Sequence, residues 1–180
     1  MTTVVAVNGS RRDGSYTLSG LELALEGAAE AGAATDLVDL GAVDLPLYDP
    51  DVGDVGAAAA LKRRVREADG LLLGTPVYHD SYSSTFRNFH DYCGWDEYED
   101  TVVGLLATAG GGSYGSTLGH MRDTVRGVHG FVVPHQVGIR NASSKFVDDG
   151  DGRVLPDDDL RERVETLGRV VVEHAERFDA

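Results

Sequence analysis

The stretch Thr3-Val4-Val5-Ala6-Val7-Asn8-Gly9-Ser10-Arg11-Arg12-Asp13-Gly14-Ser15-Tyr16-Thr17 decides how this chain is read. Its first five residues are a continuous apolar run of β-branched character, which reads as a strand buried on both faces. After Thr17, Leu18, Leu21, Leu25, Ala28 and Ala29 recur at helical spacing. Between strand and helix lies a short loop of glycines, hydroxyls and arginine. The free N–H groups at the start of a helix and its dipole favour an anion there. Ser10, Ser15 and Thr17 offer hydroxyls and Arg12 offers a guanidinium fork, so the loop reads as a phosphate cradle. The residue types also suit a plain N-capped loop. No Gly-x-x-x-x-Gly-Lys-Ser/Thr occurs in the chain, which excludes a Walker loop.

Outward from this unit the period keeps switching between strand and helix. Residues 36–40 alternate as a second strand. A breaker-rich loop follows, with Pro46, Pro50, Gly53 and Gly56. Residues 57–68 place Leu61 and Val65 on one helical face, and residues 70–74 form a short apolar strand. A helix is predicted over 83–93, a strand over 101–108, and a helix over 116–126 with Leu118, Met121 and Val125 inward. A fifth strand is predicted over 130–133. A last helix carries Leu160, Val164, Leu167, Val171 and Phe178 on one stripe. Five apolar strands alternating with helices predict an α/β fold, a parallel sheet covered on both faces. No linker divides residues 1–180, so a single domain is expected. Residues 141–156 are the longest non-periodic piece and read as a polar turn. Their Asp148-Asp149-Gly150-Asp151-Gly152 core lacks the spacing and terminal glutamate of a calcium loop.

In such a sheet, ligands sit beyond the C-terminal strand ends. The third strand ends in Pro76-Val77-Tyr78-His79, where Pro76 stiffens the exit and Tyr78 offers a flat face to a planar ligand. His79 suits a proton donor or an exposed loop residue equally. The fourth strand ends in Ala109-Gly110-Gly111-Gly112-Ser113-Tyr114-Gly115, whose glycines let backbone approach a ligand. This loop also fits Gly-x-Gly-x-x-Gly, but it follows the wrong strand for a dinucleotide fingerprint. It fits a nucleophile elbow too, with Ser113, Asp148 and His174 as a triad, although His174 falls in a helical stripe. The six histidines form no helical metal pair, so no metal site is expected. Cys93 reads as a packed residue.

Taken together, Gly9-Ser10-x-Arg12-x-Gly14-Ser15-Tyr16-Thr17, Pro76-Val77-Tyr78-His79-x-Ser81, Arg87-Asn88-x-x-Asp91 and Gly110-Gly111-Gly112 resemble the NADPH-dependent FMN reductase family. Phe146-Val147-Asp148-Asp149-Gly150 and the following amphipathic helix resemble its C-terminal end. The resemblance implies a flavodoxin-like three-layer, doubly wound, five-stranded parallel sheet of order 2-1-3-4-5. It implies non-covalent FMN, with Ser10, Arg12, Ser15, Tyr16 and Thr17 at the phosphate. Pro76, Val77, Tyr78 and His79 would line the isoalloxazine, and Gly110, Gly111, Gly112 and Ser113 would close its other side. It further implies hydride passing from NAD(P)H through flavin N5 to a quinone, flavin or similar acceptor, with ping-pong kinetics and no catalytic side chain. A homodimer or homotetramer is implied, for which Tyr82, Phe86, Phe89, Tyr92 and Trp95 are candidate interface aromatics or core. Thr17 and Arg87 stand where the family commonly has asparagine and lysine, and both keep a donor. A flavodoxin-type electron carrier is the alternative, with a serine hydrolase using Ser113 more remote.

Charge and cysteine narrow the setting. Thirty Asp plus Glu against sixteen Lys plus Arg give a net charge of -14, which excludes a nucleic-acid partner that needs a basic face. One cysteine cannot form an internal disulfide, and no apolar run spans a bilayer, so a cytoplasmic protein is expected with no membrane partner. At molar salt the Debye length falls to about 3 Å, so self-repulsion of this many carboxylates is screened. The expectation is a halophilic protein: circular dichroism should show unfolding in low-salt buffer and a folded chain in molar potassium chloride. Full stability at low salt would contradict it.

Overall fold

In a computed structural model, residues 1–150 and 152–178 are described, so Asp151 of the acidic turn lies outside the described residues. Strands β1 (Thr3–Asn8), β2 (Ala34–Asp39), β3 (Gly70–Pro76), β4 (Val102–Thr108) and β5 (Phe131–Ile139) pair in parallel, in the order β2-β1-β3-β4-β5. Helices α1 (Tyr16–Glu30) and α7 (Asp158–Phe178) cover one face. Helices α2 (Ala58–Arg66), α3 (Ser84–Tyr92) and α5 (Gly115–Gly127) cover the other. The three-layer flavodoxin-like architecture is thus as expected.

The run Val4-Val5-Ala6-Val7 explains why both layers form. Val4 and Ala6 enter the core under α1 and α7, and Val5 and Val7 enter the core under α2, α3 and α5. A strand buried on both faces has no polar side, which is why its sequence reads as continuous rather than alternating. Leu61, Val65, Leu118, Met121 and Val125 all point inward as their spacing predicts. The last helix departs at its ends, since Val164, Leu167 and Val171 are buried while Phe178 is half exposed against Phe131.

Three segments differ from the sequence reading. β5 runs on to Ile139, past Pro134. It is an edge strand with a register shift opposite Val103/Leu105, and an edge tolerates the missing N–H of a proline. A short helix, α4 (Trp95–Tyr98), follows α3. Residues 141–156 hold a one-turn helix α6 (Ala142–Lys145) and a two-stranded hairpin, β6 (Val147–Asp148) with β7 (Arg153–Val154), rather than a bare turn. Phe146 and Leu155 anchor that hairpin in the core. Among the third-helix aromatics, Phe86, Phe89 and Tyr92 are core residues, whereas Trp95 is exposed and stacks on His129. Cys93 is buried, which pushes its thiol well above the usual range and leaves it inert as a nucleophile. No described helix is long and apolar enough to cross a membrane.

α1 and α7 approach so closely that backbone meets backbone. A Cβ on Gly168 would lie 1.9 Å from the Ala24 carbonyl oxygen, which cannot yield as a side chain can. Gly168→Ala should therefore cost about 3 kcal/mol through overpacking. Gly119→Ala, at an exposed helical position with open space around it, should gain up to about 1 kcal/mol. Urea unfolding of the two variants checks both signs.

Candidate functional site

The strand order reverses between β1 and β3, and a cleft opens beyond their C-terminal ends. It encloses about 320 Å³ and is lined by Ser10, Arg12, Ser15, Tyr16, Thr17, Pro76, Val77, Tyr78, Thr108, Ala109, Gly110, Ala142 and Ser143. Its floor is built by hydrogen bonds between neighbouring strand exits. Gly9 N–H donates to Gly74 O at 2.8 Å, Val77 N–H to Thr108 O at 2.8 Å, and Ala109 N–H to Ile139 O at 2.8 Å. Ser83 ties the same corner. Its hydroxyl donates to Gly9 O at 2.5 Å and accepts from Phe86 N–H at 3.0 Å, capping α3.

The end of the cleft at α1 is shaped by short-range bonds. Asn8 Oδ1 accepts from Ser10 N–H at 3.1 Å, and its amide donates to Asp39 at 2.9 Å. Ser10 Oγ accepts from Arg12 N–H and Ser15 Oγ from Leu18 N–H, so both buried hydroxyls keep their own proton for a ligand oxygen. The N–H groups of Tyr16 and Thr17 stand in the first helical turn, where no helical carbonyl reaches them. Gly14 takes φ +62°, a left-handed turn that suits glycine. Thr17 is buried and its hydroxyl meets that of Thr108 at 2.6 Å, joining α1 to the end of β4.

At the other end, Tyr78 and Ser81 exchange backbone hydrogen bonds at 2.9 and 3.0 Å across a two-residue turn. His79 and Asp80 both have positive φ, 50° and 59°, which strains two non-glycine residues in succession. Ser81 Oγ meets His120 Nδ1 at 3.1 Å, so α5 braces this strained hairpin. His79 sits at its exposed tip and does not line the cleft. Gly111 does not line it either, and Gly112 and Ser113 face an adjoining cleft of about 800 Å³ that also holds Arg140, Lys145 and Arg163. Three lining residues, Thr108, Ala142 and Ser143, are not singled out as ligand-facing by the sequence.

The hydrolase triad does not assemble. Ser113 Oγ accepts from Gly115 N–H, and Asp148 Oδ1 accepts from Gly150 N–H. His174 Nδ1 meets the Val170 carbonyl on its own helix.

The family model for NADPH-dependent FMN reductase matches residues 2–144. The chain belongs to that family. The reductase is 32% identical over 151 residues to the FMN-dependent NADPH-azoreductase of Staphylococcus saprophyticus, covering 79% of each chain. It is 34% identical over 146 residues to the NADPH azoreductase of a Bacillus species, covering 79% of this chain and 76% of that one. Its fold matches the flavoenzyme NAD(P)H:(acceptor) oxidoreductase FerB of Paracoccus denitrificans with a TM-score of 0.79 at 20% identity over 98% of each chain. An oxidoreductase from Corynebacterium diphtheriae matches with a TM-score of 0.77 at 19% identity, over 98% of each chain. The protein is thus an oxidoreductase with FMN as cofactor and NADPH as electron donor.

The residues present fit FMN. Two buried hydroxyls with free protons, an arginine and open helical N–H groups converge at one end, as a phosphate needs. Pro76, Val77 and Tyr78 give the opposite end an apolar wall for a flat ring system.

Proposed function

We propose that the reductase passes hydride from NADPH to a planar conjugated acceptor, a quinone, a flavin or an azo compound, in ping-pong fashion and in the cytoplasm. One observation carries the reading. Among the described residues, those lining the cleft include no carboxylate, histidine, cysteine or lysine. A site so lined works by binding and orientation rather than by side-chain acid–base chemistry.

Bound FMN supplies the hydride-accepting and hydride-donating centre. The chain's residues do the rest. Ser10, Ser15, Arg12 and the first turn of α1 hold the phosphate, and Thr17 keeps that helix end registered on β4. Pro76 and Val77 exclude water from one side of the ring. Tyr78 is about half exposed at the cleft mouth and offers a flat face to an arriving aromatic molecule. The names of the curated relatives, which are azoreductases, support an aromatic azo acceptor.

The test is anaerobic. NADPH should bleach the flavin band of the purified holoenzyme, and methyl red or a benzoquinone added afterwards should restore it. Double-reciprocal plots against NADPH at several acceptor concentrations should be parallel. A flavin that NADPH leaves oxidised, yet a partner reductase reduces, would make the protein an electron carrier.

A further inference from the structure

Arg153 on β7 lies beyond the residues matched by the family model, yet it bears directly on the phosphate loop. Its guanidinium carbon stands 4.6 Å from the centre of the Tyr16 ring, and that ring also stacks on Phe146 at 5.5 Å. Arg12 reaches the same ring at 5.5 Å. The Arg153 guanidinium lies against the left-handed Gly14 turn. A Cβ built on Gly14 would stand 2.8 Å from Nη2 and 2.9 Å from Nη1. Gly14 therefore provides the space that Arg153 fills, besides its φ.

Arg153 Nη1 is buried and has no hydrogen-bond partner among the described residues. Seven of the fourteen arginines pair with carboxylates among the described residues, as Arg64 does with Asp36 at 2.6 Å and Arg87 with Asp91 at 2.7 Å. Arg153 makes no ion pair among the described residues, although the groove on its outer side carries Glu22, Glu26 and Asp149. A guanidinium cannot shed its proton, so a buried N–H without an acceptor is costly unless an anion comes to it. Gly14 and Tyr16, the groups it touches, belong to the loop where Ser10, Ser15 and Arg12 converge.

We propose that Arg153 is a second cation of the phosphate cradle, a positioning residue that holds the Gly14 turn and Tyr16 in place and adds positive charge beside the FMN phosphate. Arg12 is exposed and must be ordered on binding, whereas Arg153 is already packed. The inference rests on FMN occupying the cleft. Its signature is selectivity for the phosphate, because riboflavin carries the same ring and no charge.

The experiment titrates the full-length apoprotein with FMN and with riboflavin, following quenching of flavin fluorescence. Arg153→Met keeps the stem and removes the charge; it should weaken FMN about tenfold and leave riboflavin unchanged. The dependence of FMN affinity on salt should also become shallower. Arg153→Lys should stay within about threefold of the parent, since it keeps the charge. Unchanged FMN affinity in Arg153→Met overturns the inference, as does an equal loss for FMN and riboflavin, which would mark a merely structural role. Failure of the parent to bind FMN would instead overturn the cofactor assignment beneath it, and that outcome is separate because it appears before any substitution.

Discussion

The hydrogen bond from Gly9 N–H to Gly74 O joins the exits of β1 and β3 at the point where the strand order reverses. Neighbouring connections leave in opposite directions there, so the sheet's end is open and a ligand can sit on it. Ser83 reinforces the same corner, since its hydroxyl binds the Gly9 carbonyl and caps α3. One corner therefore positions three things: the phosphate loop, the start of the Tyr78 hairpin and the first turn of α3. The cleft inherits its rigidity from strand ends rather than from its own loops, which is what orientation-based chemistry needs.

Electrostatics divides the molecule in a way its net charge hides. Carboxylates occupy the surface and hold arginines in pairs, as Asp36 does Arg64 and Glu30 does Arg169 at 3.3 Å. Arg12 and Arg153 form no ion pair among the described residues, and both converge on Tyr16 beside the phosphate loop. An acidic chain thus keeps local positive charge beside the cleft proposed for its anionic cofactor. The same acidity disfavours the approach of an anion such as NADPH at long range.

Features carried by contiguous residues were legible in the sequence. The run 3–17 contains a strand, its turn and a helix start, and each is dictated locally, so both the fold and the phosphate loop follow from it. The stripes of α2 and α5 were legible for the same reason, since Leu61, Val65, Leu118, Met121 and Val125 keep a clean helical period. Long-range partners were not. Thr108, Ala142 and Ser143 are ordinary residues that join the cleft only because β4 ends beside β3 and β5 beside β4. The predicted fifth strand stops at 133, just before Pro134, whereas β5 continues through that proline because its edge position tolerates the missing N–H. The hairpin 147–154 carries almost no periodic signal, yet Phe146 and Leu155 bury its two ends and leave Arg153 on the phosphate loop. The glycine loop 110–113 was read as one lining segment, but it spans two clefts.

In the proposed holoenzyme this cleft holds FMN without a covalent bond, one molecule per chain. The most direct measurement is a visible absorption spectrum of the protein loaded with excess FMN in high salt and then passed through gel filtration. A flavin band retained at one equivalent per chain, and released intact as FMN on acid denaturation, is the predicted result. A folded protein that emerges colourless would contradict the account.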